Sequence, residues 1–80
     1  RRLMVVRPSD PSVTAPANGD ALTRDGRRVG AITSAAGVPG TDGWVALAYV
    51  KRSRGEHGSA VDLGDRGRGV ILDPPVEILG

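Results

Sequence analysis

The sequence predicts an all-β fold, a small antiparallel barrel of about six strands, on three observations. Its 12 glycines and 6 prolines are spaced so that hardly any stretch of ten residues runs without one, which disfavours long helices. The intervals between these breakers are short and β-branched, the pattern of an antiparallel sandwich or barrel. An Asp25-Gly26 pair stands between two extended segments, and a type I′ hairpin turn needs positive φ at both of its central residues.

The first strand is expected over Arg2 to Arg7, with Leu3 and Val5 on one face and Met4 and Val6 on the other, apolar enough for burial on both sides. Pro8 ends it. A polar, proline-rich crossover follows to Gly19, and the second strand runs from Asp20 to Arg24. The Asp25-Gly26 turn pairs this strand with a long third one, Arg27 to Val38. Within it Val29, Ala31 and Thr33 alternate with Gly30, Ile32 and Ser34, and Gly30 marks a bulge or a close backbone approach.

The loop from Gly37 to Gly43 leads into Trp44 to Lys51, the most hydrophobic segment, expected as the central strand. Its length and its Trp, Val and Tyr content favour a strand over a short helix. After a polar loop from Arg52 to Gly58, a second hairpin is expected. It consists of Ser59 to Leu63, a Gly64-Asp65-Arg66-Gly67 turn, and Arg68 to Leu72. Pro74-Pro75 breaks the ladder because neither proline donates a backbone hydrogen bond, and Val76 to Leu79 is expected as an edge segment. There is no internal repeat.

Eighty residues make a single domain, residues 1–80, with a thin stability margin of about 4 to 12 kcal/mol. Cysteine is absent, so a disulfide framework or thiolate zinc site is excluded, and one His cannot chelate a metal alone. The longest apolar run, Trp44 to Val50, is far short of a spanning helix, and the cytoplasm is the expected location. Net charge is +2, with ten of the eleven basic residues Arg, a composition that high-GC codon usage accounts for. Hydrophobic content of 39% against aromatic content of 2% requires a core of Val, Leu, Ile and Ala, with Trp44 and Tyr49 adding bulk.

Candidate chemistry is sparse. Ser34 lacks the G-x-S-x-G frame of a nucleophile elbow, and His57, between Glu56 and Gly58, reads as a solvated loop residue. Gly37, Gly40 and Gly43 do not make a phosphate loop, because Pro39 interrupts and a strand follows instead of a helix N-terminus. Asp25, Asp42, Asp65 and Asp73 stand beside Gly or Pro and read as turn residues. Lys51, Arg52 and Arg54 form a basic cluster, and Arg66-Gly-Arg-Gly69 resembles part of an RGG tract. Glu56, Asp62, Asp65 and Asp73 interleave with them and stacking aromatics are scarce, which disfavours nucleic-acid binding. No catalytic, cofactor-binding or metal residue is assigned.

The stretch Asp25-Gly-Arg-Arg-Val-Gly-Ala-Ile-Thr-Ser-Ala-Ala36, followed by Gly43-Trp-Val-Ala-Leu-Ala-Tyr-Val-Lys51, resembles the C-terminal barrel of the glycine-cleavage T-protein (aminomethyltransferase) superfamily. That barrel carries a G-x-x-V-G-x-(V/I)-T-S segment, a Pro in a loop, and an apolar "ALAYV" strand. Gly26, Val29, Gly30, Thr33, Ser34, Ala46, Tyr49 and Val50 fall on this structural motif, as do Ile32, Pro39, Leu47 and Ala48. Pro16-Ala-Asn-Gly-Asp20 is similar to the family's entry to the hairpin.

The opening Arg1-Arg-Leu-Met-Val-Val6 resembles the "RRLV" strand that follows a K-G-C-Y-x-G-Q-E signature in YgfZ-type folate-binding proteins. This resemblance implies a non-catalytic barrel from the C-terminal end of a longer folate-binding protein linked to iron-sulfur cluster assembly or repair. Its partners would be the N-terminal folate-binding domains of the same polypeptide, where tetrahydrofolate would sit. An alternative is the same barrel in a tetrahydrofolate-dependent aminomethyltransferase, and one of another class is a small nucleic-acid-binding barrel. Cut from such neighbours, the barrel is expected to expose apolar surface around Leu3, Val5 or Val76 to Leu79 and to self-associate.

Overall fold

The computed structural model describes residues 2–51 and 58–73. Six antiparallel strands close into a barrel in the order β1-β4-β3-β2-β5-β6. They are β1 (Arg2–Pro8), β2 (Ala21–Arg24), β3 (Arg27–Gly37), β4 (Trp44–Val50), β5 (Ser59–Asp62) and β6 (Arg68–Leu72). Described residues include no α-helix, and a single 3-10 turn, Gly64–Arg66, joins β5 to β6. The expected edge segment over Val76 to Leu79, the basic residues Arg52 and Arg54, and His57 lie outside the described residues.

Both expected hairpins form. Asp25 and Gly26 take φ of 53° and 77°, the positive pair that a type I′ turn demands, and β2 pairs with β3 across them. β5 pairs with β6 from Ser59↔Ile71 to Asp62↔Arg68. β4 pairs with β1 on one side and β3 on the other. The barrel then closes where β1 meets β6, and at that seam Gly69 faces Pro8. A Cβ on Gly69 would stand 3.0 Å from the Arg7 carbonyl oxygen and 3.0 Å from a Val6 methyl, so the seam leaves little space for a side chain.

The interior is aliphatic. Met4 and Val6 of β1, Leu22 of β2, Val29 and Ile32 of β3, Val61 of β5 and Ile71 of β6 are buried around the inward residues of β4: Trp44, Ala46, Ala48 and Val50. The two alanines oppose Val6 and Met4 of β1, so small and large side chains alternate across the narrow interior. Val5 is buried as well, which makes β1 apolar on both faces, as its sequence predicts.

β3 departs from simple alternation. Its register slips against β2 between Leu22 and Thr23 and against β4 between Ile32 and Ser34, so Val29 and Thr33 are each an extra residue. A bulge of this kind breaks the two-residue period. Val29 and Ile32, three apart, therefore point into the same core, where an unbroken strand would have placed them on opposite faces. The bend they introduce carries the long strand from β2 around to β4.

The segment between β1 and β2 covers one end of the barrel. Val13 and Pro16 are buried there, and the Trp44 indole N–H donates to the Val13 carbonyl at 2.9 Å. That bond satisfies the one polar atom of a buried Trp while fastening the covering loop to β4.

Candidate functional site

The residues of the sequence motif lie along the β2-β3-β4 surface, and their roles there are largely in the backbone. Gly26 makes the hairpin turn, and Val29 and Gly30 form the first bulge. A Cβ at Gly30 would lie 2.3 Å from the Tyr49 carbonyl oxygen, so β3 and β4 approach at a distance only glycine permits. Thr33, at the second bulge, donates its hydroxyl to the Leu47 carbonyl at 3.2 Å. Ala46 and Val50 face inward, whereas Tyr49 points outward and is 46% exposed. Ser34 is exposed and borders a shallow apolar hollow of about 270 Å³ with Val5, Ala36, Val45 and Leu47. Among the described residues, no histidine or carboxylate borders that hollow to act as a base.

The loop after β3 spends its donors on itself. Val38 N–H donates to the Gly43 carbonyl at 2.9 Å, Thr41 N–H to the Val38 carbonyl at 3.2 Å, and Gly43 N–H to the Thr41 hydroxyl at 3.0 Å. A phosphate cradle would need such N–H groups unengaged. The result is a self-bonded turn between two strands.

Three further hollows each gather two or more charged residues. A hollow of about 540 Å³ lies where the covering loop meets the 3-10 turn, between Thr14, Asp20, Thr23, Asp65 and Arg66. Asp20 there accepts the Ala17 N–H at 2.8 Å and Arg66 Nε at 3.0 Å. Chiefly the Ala17 bond, with Arg66 adding to it, holds its carboxyl below the usual range. A carboxylate so held is a poor base. Asp10 is lowered too, by the Ser12 hydroxyl and then the Ser12 N–H.

A second hollow, about 300 Å³, lies among Arg24, Asp25, Ser59, Asp62 and Arg68. Arg24 donates through Nε to the Ala60 carbonyl at 3.3 Å, while Arg68 pairs with Asp62 at 3.1 Å. The third, about 390 Å³, is bordered by Arg28, Thr33, Tyr49 and Lys51, with Gly30 and Ala31 as its floor. No carboxylate among the described residues borders it. The sequence separates Arg28 from Lys51 by most of a hairpin, and only the β3-β4 register brings them together.

Among the described residues, no three His, Cys, Asp or Glu side chains stand together as a metal site. No helix among the described residues is long and apolar enough to cross a membrane. Among the described residues, none of these hollows sets an aromatic face beside a carboxylate.

The described residues form a small closed barrel with glycine-dependent close approaches at Gly30 and Gly69 and a covered end. The chain belongs to the glycine cleavage T-protein C-terminal barrel domain family, whose model matches residues 1–76. No curated protein and no solved structure matches it. The match covers the whole barrel, including β5 and β6, which the motif residues alone do not reach.

Proposed function

We propose that this barrel is the non-catalytic C-terminal module of a longer YgfZ-type folate-binding protein linked to iron-sulfur cluster assembly or repair. The parent protein would hold tetrahydrofolate in domains N-terminal to the barrel and work in the cytoplasm. Membership of the T-protein barrel family supports the module reading, and the resemblance carried by the sequence Arg1-Arg-Leu-Met-Val-Val6 supports the YgfZ-type branch.

The outer surface adds a physical argument. Leu3, Val45, Leu47, Val70 and Leu72 are half-buried and Tyr49 is exposed, in a band that β1, β4 and β6 share through Leu3↔Tyr49, Val5↔Leu47 and Val5↔Leu72. Expected in the exposed patch, Val5 is in fact 5% exposed, because it stands between Leu47 and Leu72 on the two flanking strands. Such a band suits contact with a neighbouring domain, and in isolation it favours self-association.

The test is the reading frame upstream of Arg1. A longer frame that encodes K-G-C-Y-x-G-Q-E supports the proposal. A longer frame without that cysteine motif points to an aminomethyltransferase, and a start codon immediately before Arg1 overturns the module reading.

A further inference from the structure

We propose that two copies of this chain pair through the free edge of β3, Ser34 to Gly37, as an antiparallel two-fold dimer. β3 has 11 residues and the neighbouring β2 only 4, so the end of β3 outruns its cover. β2 reaches Ala31, and the chain just before it reaches one residue further. Gly19 N–H donates to the Ile32 carbonyl and Ile32 N–H to the Asp20 carbonyl, both at 2.8 Å. The bulge at Thr33 then bends the strand. Past it, β3 pairs among the described residues with β4 alone, from Ser34↔Leu47 to Gly37↔Trp44, and Ser34 to Gly37 are all exposed.

The ladder decides which backbone groups face outward. Val38 N–H donates to the Gly43 carbonyl at 2.9 Å, so these two form a hydrogen-bonded pair. Such pairs alternate with non-hydrogen-bonded ones along an antiparallel ladder. Ala36 and Ser34 therefore bond to β4, while the N–H and C=O of Ala35 and Gly37 point away from it. No described residue is bonded to those outward groups.

A row of unpaired donors and acceptors on a strand edge is a template for another strand, and natural edges are guarded by Lys, Pro or other charges. Ser34-Ala-Ala-Gly37 carries none of these. The edge is also complementary to itself. With Ala36 opposite its own counterpart on the two-fold axis, Ala35 of each copy faces Gly37 of the other, and every outward N–H and C=O finds a partner. Only methyl groups meet across the axis, so the backbones reach ladder spacing without a clash. The apolar hollow lined by Val5, Ala36, Val45 and Leu47 then lies beside the same hollow of the second copy, which shields both from water. Four residues a side fall far short of the roughly 20 to 30 of a standard interface, so the dimer is weak and forms only at high concentration. It is a different contact from self-association through the β1-β4-β6 band.

Sedimentation velocity of the 80-residue chain from about 10 µM to about 1 mM tests the proposal. The expected result is a monomer at the low end and a dimer toward the high end, with nothing larger, because two-fold pairing uses up the edge. Ala36→Lys sets like charges across the axis and should keep the chain monomeric throughout. Ala35→Pro removes an outward N–H that the β4 ladder does not use and should do the same. Leu3→Glu, in the β1-β4-β6 band, should leave the dimer unchanged. A circular dichroism melt shows whether each variant is folded, and amide exchange by NMR needs no variant: Ala35 and Gly37 should slow as concentration of the original chain rises. A monomer at ~1 mM, species larger than a dimer, or exchange at Ala35 and Gly37 that ignores concentration overturns the proposal. So does a dimer that survives in a folded Ala36→Lys or Ala35→Pro chain, or one that is lost in a folded Leu3→Glu chain.

Discussion

Replacing Gly30 with alanine would place a methyl group 2.3 Å from the Tyr49 carbonyl oxygen, 3.1 Å from the Val50 Cα and 3.2 Å from the Tyr49 carbonyl carbon. All three are backbone atoms of β4, so no side chain can rotate aside. Relief comes only by moving β3 away from β4, which lengthens the ladder hydrogen bonds around Gly30↔Val50 and loosens the first bulge. Overpacking of this kind costs about 1 to 3 kcal/mol. For a domain of this size each kcal/mol lowers Tm by about 4 to 8 °C, so a fall of roughly 4 to 24 °C is expected.

The same substitution at Gly37 provides the comparison. A Cβ there meets nothing nearer than the Gly43 carbonyl oxygen at 3.9 Å, which is ordinary contact. Gly37→Ala should therefore be neutral, or stabilise slightly by reducing the freedom of the unfolded chain. Thermal unfolding followed by circular dichroism compares the two. A Gly30→Ala chain melting within 2 °C of the original, or a Gly37→Ala chain melting as low as Gly30→Ala, would refute the close-approach argument.

Trp44→Phe removes the N–H that the Val13 carbonyl accepts and should cost about 1 to 3 kcal/mol in urea unfolding by circular dichroism, with faster amide exchange in the covering loop. Gly26→Ala meets no atom within 4 Å, so its cost, about 1 to 2 kcal/mol, comes from the backbone at φ 77° and should leave the folded spectrum unchanged. The Asp20 carboxyl is held low in the fold, so its contribution is present above the unfolded pKa of about 3.9 and lost as pH falls through the folded value. Tm should accordingly drop on acidification below about pH 4, and Asp20→Asn should flatten that drop while lowering Tm at neutral pH.

Local chemistry explains which parts of this fold are legible in the sequence. Asp25-Gly26 announces its hairpin because few residue pairs accept two positive φ values, and Gly30 announces its close approach because an interior strand glycine needs a reason. Trp44 to Val50 reads as a strand from its length and composition alone. The register of β3 is a different matter. Two bulges, at Val29 and Thr33, decide which residues face inward, and they depend on how β2 and β4 fit against one strand, which no local pattern records.

The surface is legible to a smaller degree still. Arg28 and Lys51 meet only through the β3-β4 pairing, while Asp62 pairs with Arg68 and Asp73 with Arg2. Sequence spacing mixes charges that the fold sorts apart. The Trp44 to Val13 bond was equally out of reach, since it joins a strand to a polar loop with no distinguishing motif.

On the proposed reading the barrel is a scaffold for a folate-binding parent and does not itself hold the cofactor. Calorimetric titration of tetrahydrofolate into the parent protein and into the 80-residue chain tests it most directly. Saturable binding by the parent and none by the isolated chain is the predicted result. Saturable binding by the isolated barrel, or none by the parent, would contradict it.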